Sequence, residues 1–214
     1  MKVLNLYAGI GGNRKLWEDV QVTAVEINPE IAKVYADHFP DDELVIGDAH
    51  EYLLQHYKEF DFIWSSPPCP THSRMQKATR HDVTRYPDMK LYQEIIFLKE
   101  FFKGKWVVEN VVPYYEPLIT PTSKIGRHLF WSNFSIPLKE AHNLPNFIQA
   151  DTKEDIEKFK EWIGIKYEGN IYINGNHSPA QVLRNCVHPE TGLHILNRAR
   201  DIKTSEKIQQ QTLF

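Results

Sequence analysis

The chain has 214 residues, 42% of them hydrophobic and 25% charged, with a formal net charge of −3. These values describe one globular domain with a small appendage and exclude collagen, coiled coil and wholesale disorder. No apolar run approaches the roughly 20 residues of a membrane span, and the charge argues against coating nucleic acid by bulk electrostatics while permitting a local basic patch. Asn5 and the glycines after Tyr7 interrupt any signal-peptide core, and Cys69 and Cys186 make no disulfide framework, so a soluble cytoplasmic protein is expected.

In chain order, Val3 to Tyr7 reads as a strand ending at glycines, and Val20 to Val25 as a second. Asn28-Pro29 opens a helix, with Asn as N-cap, Pro at the first helical position, and Ile31, Val34, Tyr35 and His38 on one face. Leu44 to Ile46 is a third short strand, closed by Gly47-Asp48. Asp61 to Trp64 is a fourth, stopped by two prolines. Leu91, Ile95, Leu98 and Phe102 recur at helical spacing before a fifth strand at Trp106-Val107-Val108. This alternation predicts an α/β fold with a mainly parallel sheet covered on both faces. Beyond Asn110, prolines at 113, 117 and 121 mark an irregular connection, and Leu129 to Phe134 reads as another strand. Asp151 and Glu154 are expected to open a helix carrying Ile156, Phe159 and Ile163, and Cys186 to Ala199 to form the last one. The expected organisation is a catalytic domain over 1–134, a small insertion over 135–178, a C-terminal helical segment over 179–200 and a frayed tail over 201–214.

Open parallel sheets bind ligands beyond the carboxyl ends of their strands. The first such end carries Tyr7-Ala8-Gly9-Ile10-Gly11-Gly12, whose glycines permit a tight turn and close approach to a ligand. The second ends in Glu26, placed to hold ribose hydroxyls, and the third in Asp48, placed to accept from an adenine amino group. Alone, each acid reads more readily as a solvated loop residue than as a ligand contact; together the three ends describe an adenosine-containing cofactor. The fourth end, Ser65-Ser66-Pro67-Pro68-Cys69-Pro70, stiffens a loop around a thiol. The fifth, Val108-Glu109-Asn110-Val111, places a carboxyl where burial demands a partner or a raised pKa, which makes Glu109 a candidate proton donor. A basic stretch follows Cys69, and Trp162, Lys166 and Tyr167 are open to either nucleic-acid contact or core packing. The ten histidines show no metal-ligand spacing.

Leu6 to Gly12, Pro67-Pro68-Cys69 and Glu109-Asn110-Val111, in this order and on these strands, resemble the DNA cytosine-5 methyltransferase family. Arg184-Asn185-Cys186-Val187-His188-Pro189 resembles that family's last block. The resemblance implies a Rossmann-like, doubly wound class I fold and S-adenosylmethionine as cofactor. It places the cofactor on Tyr7, Gly9, Gly11 and Gly12, its ribose on Glu26 beside Ile27 and its adenine on Asp48 beside Ala49, with Pro67 and Asn185 completing the pocket. By the same resemblance Cys69 attacks carbon 6 of a flipped cytosine, Glu109 holds N3 and the exocyclic amine, Asn110 braces the Cys69 loop, and Arg127 reaches the base carbonyl. Ser73, Arg74, Lys77, Arg80 and Arg85 would lie in the loop that closes over duplex DNA.

Pro70 stands where the family has Gln, and Ile125 where its Gln-x-Arg-x-Arg block has the first arginine. The stretch over 135–178 is far shorter than the family's target-recognition region, which leaves room for a partner subunit. Four other readings stay open. A tRNA cytosine-5 methyltransferase would use the same Cys69 and Glu109. An amino-directed methyltransferase would need an aromatic residue in place of Cys69, an NAD oxidoreductase leaves the proline turn unexplained, and a cofactor-binding subunit without catalysis leaves Cys69 and Glu109 idle.

Overall fold

The computed structural model describes residues 1–68, 86–142, 152–173 and 178–201. The apolar runs become β1 (Lys2–Leu6), β2 (Gln21–Glu26), β3 (Glu43–Ile46), β4 (Phe62–Ser65) and β5 (Lys105–Val111). A short β6 (Ser123–Ile125) and β7 (His128–Ser132) follow. They form one sheet in the order β3-β2-β1-β4-β5-β7-β6. Pairing is parallel from β3 through β5, then antiparallel at β5–β7 and β6–β7. The direction of winding reverses between β1 and β4, which opens a crevice at their carboxyl ends. β1, β2, β4 and β5 bury nearly every residue, and strands buried on both faces lose the polar alternation of a half-exposed sheet.

The helices are α1 (Pro29–His38), α2 (Ala49–His56), α3 (Lys90–Phe101), α4 (Lys153–Ile163), α5 (Gln181–Arg184) and α6 (Pro189–Ala199). One apolar cluster joins Leu4, Leu6, Val25, Ile63 and Val108 to Leu53 of α2 and Leu91, Ile95 and Leu98 of α3. The other joins Val3, Ala24, Phe62, Trp64 and Val107 to Ile31 and Tyr35 of α1, Phe159 and Ile163 of α4, and Ile195 and Leu196 of α6. The alternating strand residues therefore divide between two helical layers. The connection from β1 to β2 contains turns rather than a helix. Its Ile10 and Trp17 sit in the same cluster as α6, so the C-terminal helix covers a face that a crossover helix would otherwise cover.

Two helix starts differ from the sequence expectation. α4 is capped by Thr152, not Asp151: the Thr152 hydroxyl accepts from the Asp155 amide at 3.2 Å, and the Asp155 carboxylate accepts from the Thr152 amide at 3.2 Å. Spacing fits both pairs, since Glu154 also lies three positions after Asp151; the two reciprocal bonds are what make Thr152 and Asp155 the box. α6 begins at Pro189 rather than Cys186, because Pro needs no amide partner in a first helical turn. His188 Nδ1 caps it by accepting from the Glu190 amide at 3.2 Å. From the stretch over 135–178, Ile136, Ile156, Phe159, Ile163, Ile165 and Ile171 join the same apolar cluster as Val3 and Trp64. Among the described residues, no helix is long and apolar enough to cross a membrane.

Candidate active site

The Gly-rich turn leaves β1 through Tyr7, whose φ of 56° is in the left-handed region, and Gly9, also at φ 56°. Such a backbone costs a residue with a Cβ about 1–2 kcal/mol, and Tyr7 is anchored by its side chain. Its hydroxyl donates to Glu94 Oε1 at 2.5 Å. Glu94, on α3, is fully buried and also accepts from the Ser65 hydroxyl and pairs with His50 Nδ1 at 3.1 Å. One carboxyl thus ties the end of β1, the end of β4 and the first turn of α2 together. Burial and the neighbouring Glu94 push the Tyr7 phenol well above its ordinary pKa, and the hydrogen bond to Glu94 raises that of His50.

Glu26 organises the next strand end. Its Oε2 accepts from the Gly9 amide at 3.0 Å and its Oε1 from the Asn28 amide at 2.9 Å. Each carboxylate oxygen has capacity for a further bond, so this structural use is compatible with holding hydroxyls. Ile27 beside it is 65% exposed, and Ile46 at the end of β3 is 58% exposed. Asp48 caps α2 through the His50 and Glu51 amides at 2.8 and 3.0 Å, and these bonds, Glu51 foremost, hold its carboxyl below the ordinary value. Ala49 points into the core rather than the crevice.

The space above the turn fits the expected cofactor. A Cβ built on Gly9 meets nothing within 4 Å, nor does one built on Gly47. The left-handed backbone at Gly9 faces open space beside the Glu26 carboxylate, so a cofactor has room and an acceptor to meet there. Gly12 closes the other side: a Cβ there would lie 2.8 Å from both Cys186 Cβ and the Val187 carbonyl. Only glycine permits this approach, which brings the C-terminal block against the turn. Asn185 in that block is exposed and its Oδ1 accepts from Gln181 at 2.6 Å. Cys186 is buried, and burial pushes its thiol up to about 12.

At the other end of the crevice, Asn110 Nδ2 donates to the Pro67 carbonyl at 3.0 Å, so the strand end of β5 is tied to the proline turn. Trp64 Nε1 donates to the Ser66 hydroxyl at 2.8 Å and stiffens the same turn. Glu109 is 5% exposed, and His128 Nδ1 lies 2.6 Å from its Oε1. Arg127 directs its guanidinium onto the carbonyls of Arg184 and Cys186, tying the β6–β7 turn to the C-terminal block. Trp162 packs partly buried against the core, 4.7 Å from the His188 ring. Tyr167 is also partly buried, and its phenol is raised by burial. Cys69, Ser73 and the basic residues Arg74, Lys77, Arg80 and Arg85 lie outside the described residues.

Sequence reading missed Glu94 and His128. For Glu94 a signal exists: it falls three residues after Leu91 and four before Leu98, on the stripe α3 buries. A carboxyl on an apolar stripe announces a buried partner. His128 offers no such local signal, since its partner lies on another strand.

The chain matches the model of the C-5 cytosine-specific DNA methylase family over residues 1–115. It is similar to a tRNA (cytosine(38)-C(5))-methyltransferase from Spodoptera frugiperda, at 35% identity over 83 residues, covering 36% of this chain and 25% of that protein. The chain therefore spans about a quarter of the length of that curated relative. Among solved structures, the Entamoeba histolytica methyltransferase EhMeth superposes with a TM-score of 0.54 at 14% identity, covering 95% of this chain and 99% of that one. The fold is that of S-adenosylmethionine-dependent methyltransferases. The chain belongs to the C-5 cytosine-specific DNA methylase family.

Proposed function

We propose that the chain transfers a methyl group to carbon 5 of cytosine in DNA, with Cys69 as the nucleophile toward carbon 6. The bond from Asn110 to the Pro67 carbonyl at 3.0 Å carries this reading. It ties the turn that leads into Cys69 to the strand that presents Glu109, which supports reading thiol and carboxyl as one site. Carbon 5 of cytosine is a weak nucleophile. Addition of the Cys69 thiolate to carbon 6 moves an electron pair into the ring, and a proton from Glu109 to N3 neutralises the charge that develops. Carbon 5 then has enamine character. S-adenosylmethionine, when bound, supplies the electrophilic methyl carbon. Gly9, Gly11 and Gly12 would receive it, Glu26 would hold its ribose and Asp48 its adenine, while Ile27 would supply apolar contact. Return of the N3 proton to Glu109, loss of the carbon 5 proton and expulsion of Cys69 restore the aromatic ring. The basic segment from Ser73 to Arg85 would cover the flipped base, whose removal from the stack costs a few kcal/mol.

A second reading has its own support. The Spodoptera relative is named for a cytosine in tRNA, and RNA loops already present unstacked bases. The deciding experiment incubates the protein with tritiated S-adenosylmethionine and, separately, duplex DNA, duplex RNA and tRNA. Incorporation into duplex DNA is expected; incorporation confined to tRNA assigns the substrate to RNA. DNA carrying 5-fluorocytosine should trap a denaturation-resistant adduct with the native chain and none with Cys69→Ser. Equal trapping by both proteins removes Cys69 from the mechanism.

A further inference from the structure

The family resemblance assigns no role to His128. In the antiparallel pair β5–β7, Glu109 lies opposite Phe130 and Val111 opposite His128, so His128 and Glu109 are diagonal neighbours on one sheet face. The imidazole Nδ1 stands 2.6 Å from Glu109 Oε1, and the two side chains are 12% and 6% exposed. The ring lies near Phe130, centroids 6.4 Å apart. Among the described residues nothing bonds the second carboxyl oxygen, Oε2. Arg127, one residue earlier, directs its guanidinium to the carbonyls of Arg184 and Cys186. The nitrogen beside the carboxyl is therefore the imidazole Nδ1.

We propose that His128 is a positioning residue for Glu109, holding Oε1 and so presenting Oε2 to N3 of the pyrimidine. This rests on the reading of Glu109 as the proton donor. As the Cys69 thiolate adds to carbon 6, the Oε2–H bond breaks and an N3–H bond forms. The electron pair stays on the carboxylate, where the Nδ1–H of His128 meets it at Oε1. The imidazole keeps its proton throughout and touches no substrate atom. A hydrogen bond to a carboxylate is stronger than one to a neutral acid, so the contact strengthens as charge develops, and an interaction that grows toward the transition state accelerates the step.

The test follows methyl transfer on whichever nucleic acid the native chain accepts. His128→Ala is expected to lower kcat roughly 10- to 100-fold, the worth of one charge-assisted bond, with cofactor affinity and KM unchanged. His128→Asn, whose amide can donate from nearly the place of Nδ1, should recover most of the loss. Native kcat in His128→Ala, or failure of Asn to rescue, overturns the proposal. A readout independent of turnover is the ring itself, by nitrogen-15 and proton NMR. A downfield Nδ1 proton that moves upfield in Glu109→Gln supports the pair; an Nε2–H tautomer indifferent to Glu109→Gln overturns it. If no nucleic acid is methylated, the methyl-transfer reading falls, and the ring spectrum still decides the pairing.

Discussion

Replacing Glu94 with alanine removes the acceptor shared by Tyr7, Ser65 and His50. Ser65 is fully buried, and the partly buried Tyr7 bonds the fully buried Glu94, so both hydroxyls lose a buried partner when the carboxyl is gone. An orphaned buried donor costs about 1–3 kcal/mol. His50, with 19% of its side chain exposed, loses less because solvent can replace its partner. Groups in one network do not add, and the expected loss is about 3–5 kcal/mol. In a chain of this size each kcal/mol lowers Tm by roughly 2–4 °C, so calorimetry should record a fall of roughly 6–20 °C. The loss also has a local address. Tyr7 holds its left-handed backbone without the freedom of glycine, so release of its hydroxyl slackens the turn and weakens S-adenosylmethionine binding in an equilibrium titration. Glu94→Gln keeps the shape and one acceptor oxygen, and should cost about 1–2 kcal/mol. The pH dependence has a definite sign. The bond to Glu94 raises the His50 pKa above its ordinary 6.5. Its stabilisation is therefore fully present below pH 6.5 and fades as pH rises through the raised value, a slope that Glu94→Gln should flatten. A Tm for Glu94→Ala within about 2 °C of native would refute the network as a buried, satisfied unit.

Two further predictions concern the C-terminal block. Burial lowers the pKa of His188 to about 4, and its neutral Nδ1 caps α6. Below pH 6.5 the unfolded chain binds a proton that the folded ring refuses, so stability should fall steadily toward pH 4. His188→Asn keeps a capping side chain and removes the titration; an identical acid slope in that variant excludes His188 as its source. Burial pushes the Cys186 thiol up to about 12, which leaves about one thiol in ten thousand ionised at pH 8. In Cys69→Ser, iodoacetamide at pH 8 should leave the native protein unlabelled and label it fully in denaturant. Rapid native labelling would show that Cys186 is exposed.

Chemistry written in neighbouring residues was legible without coordinates. The apolar run at Val3 to Leu6 ends at glycines and becomes β1, and Asn28-Pro29 caps α1 because cap and first turn are adjacent in the chain. The family resemblance implied a brace from Asn110 to the proline turn, and Asn110 Nδ2 bonds the Pro67 carbonyl 43 positions away. Tertiary structure alone decided which side chains those blocks meet. Glu94 reaches Tyr7 across 87 positions, and Arg127 reaches Arg184 across 57. His128 meets Glu109 only in the observed register of β7 on β5, since a slip of one residue would send the imidazole to the opposite face. Local spacing dictates turns, caps and strands through forces that act within a few residues. The partner of a buried carboxyl depends on strand order and register, which only packing of the whole chain determines.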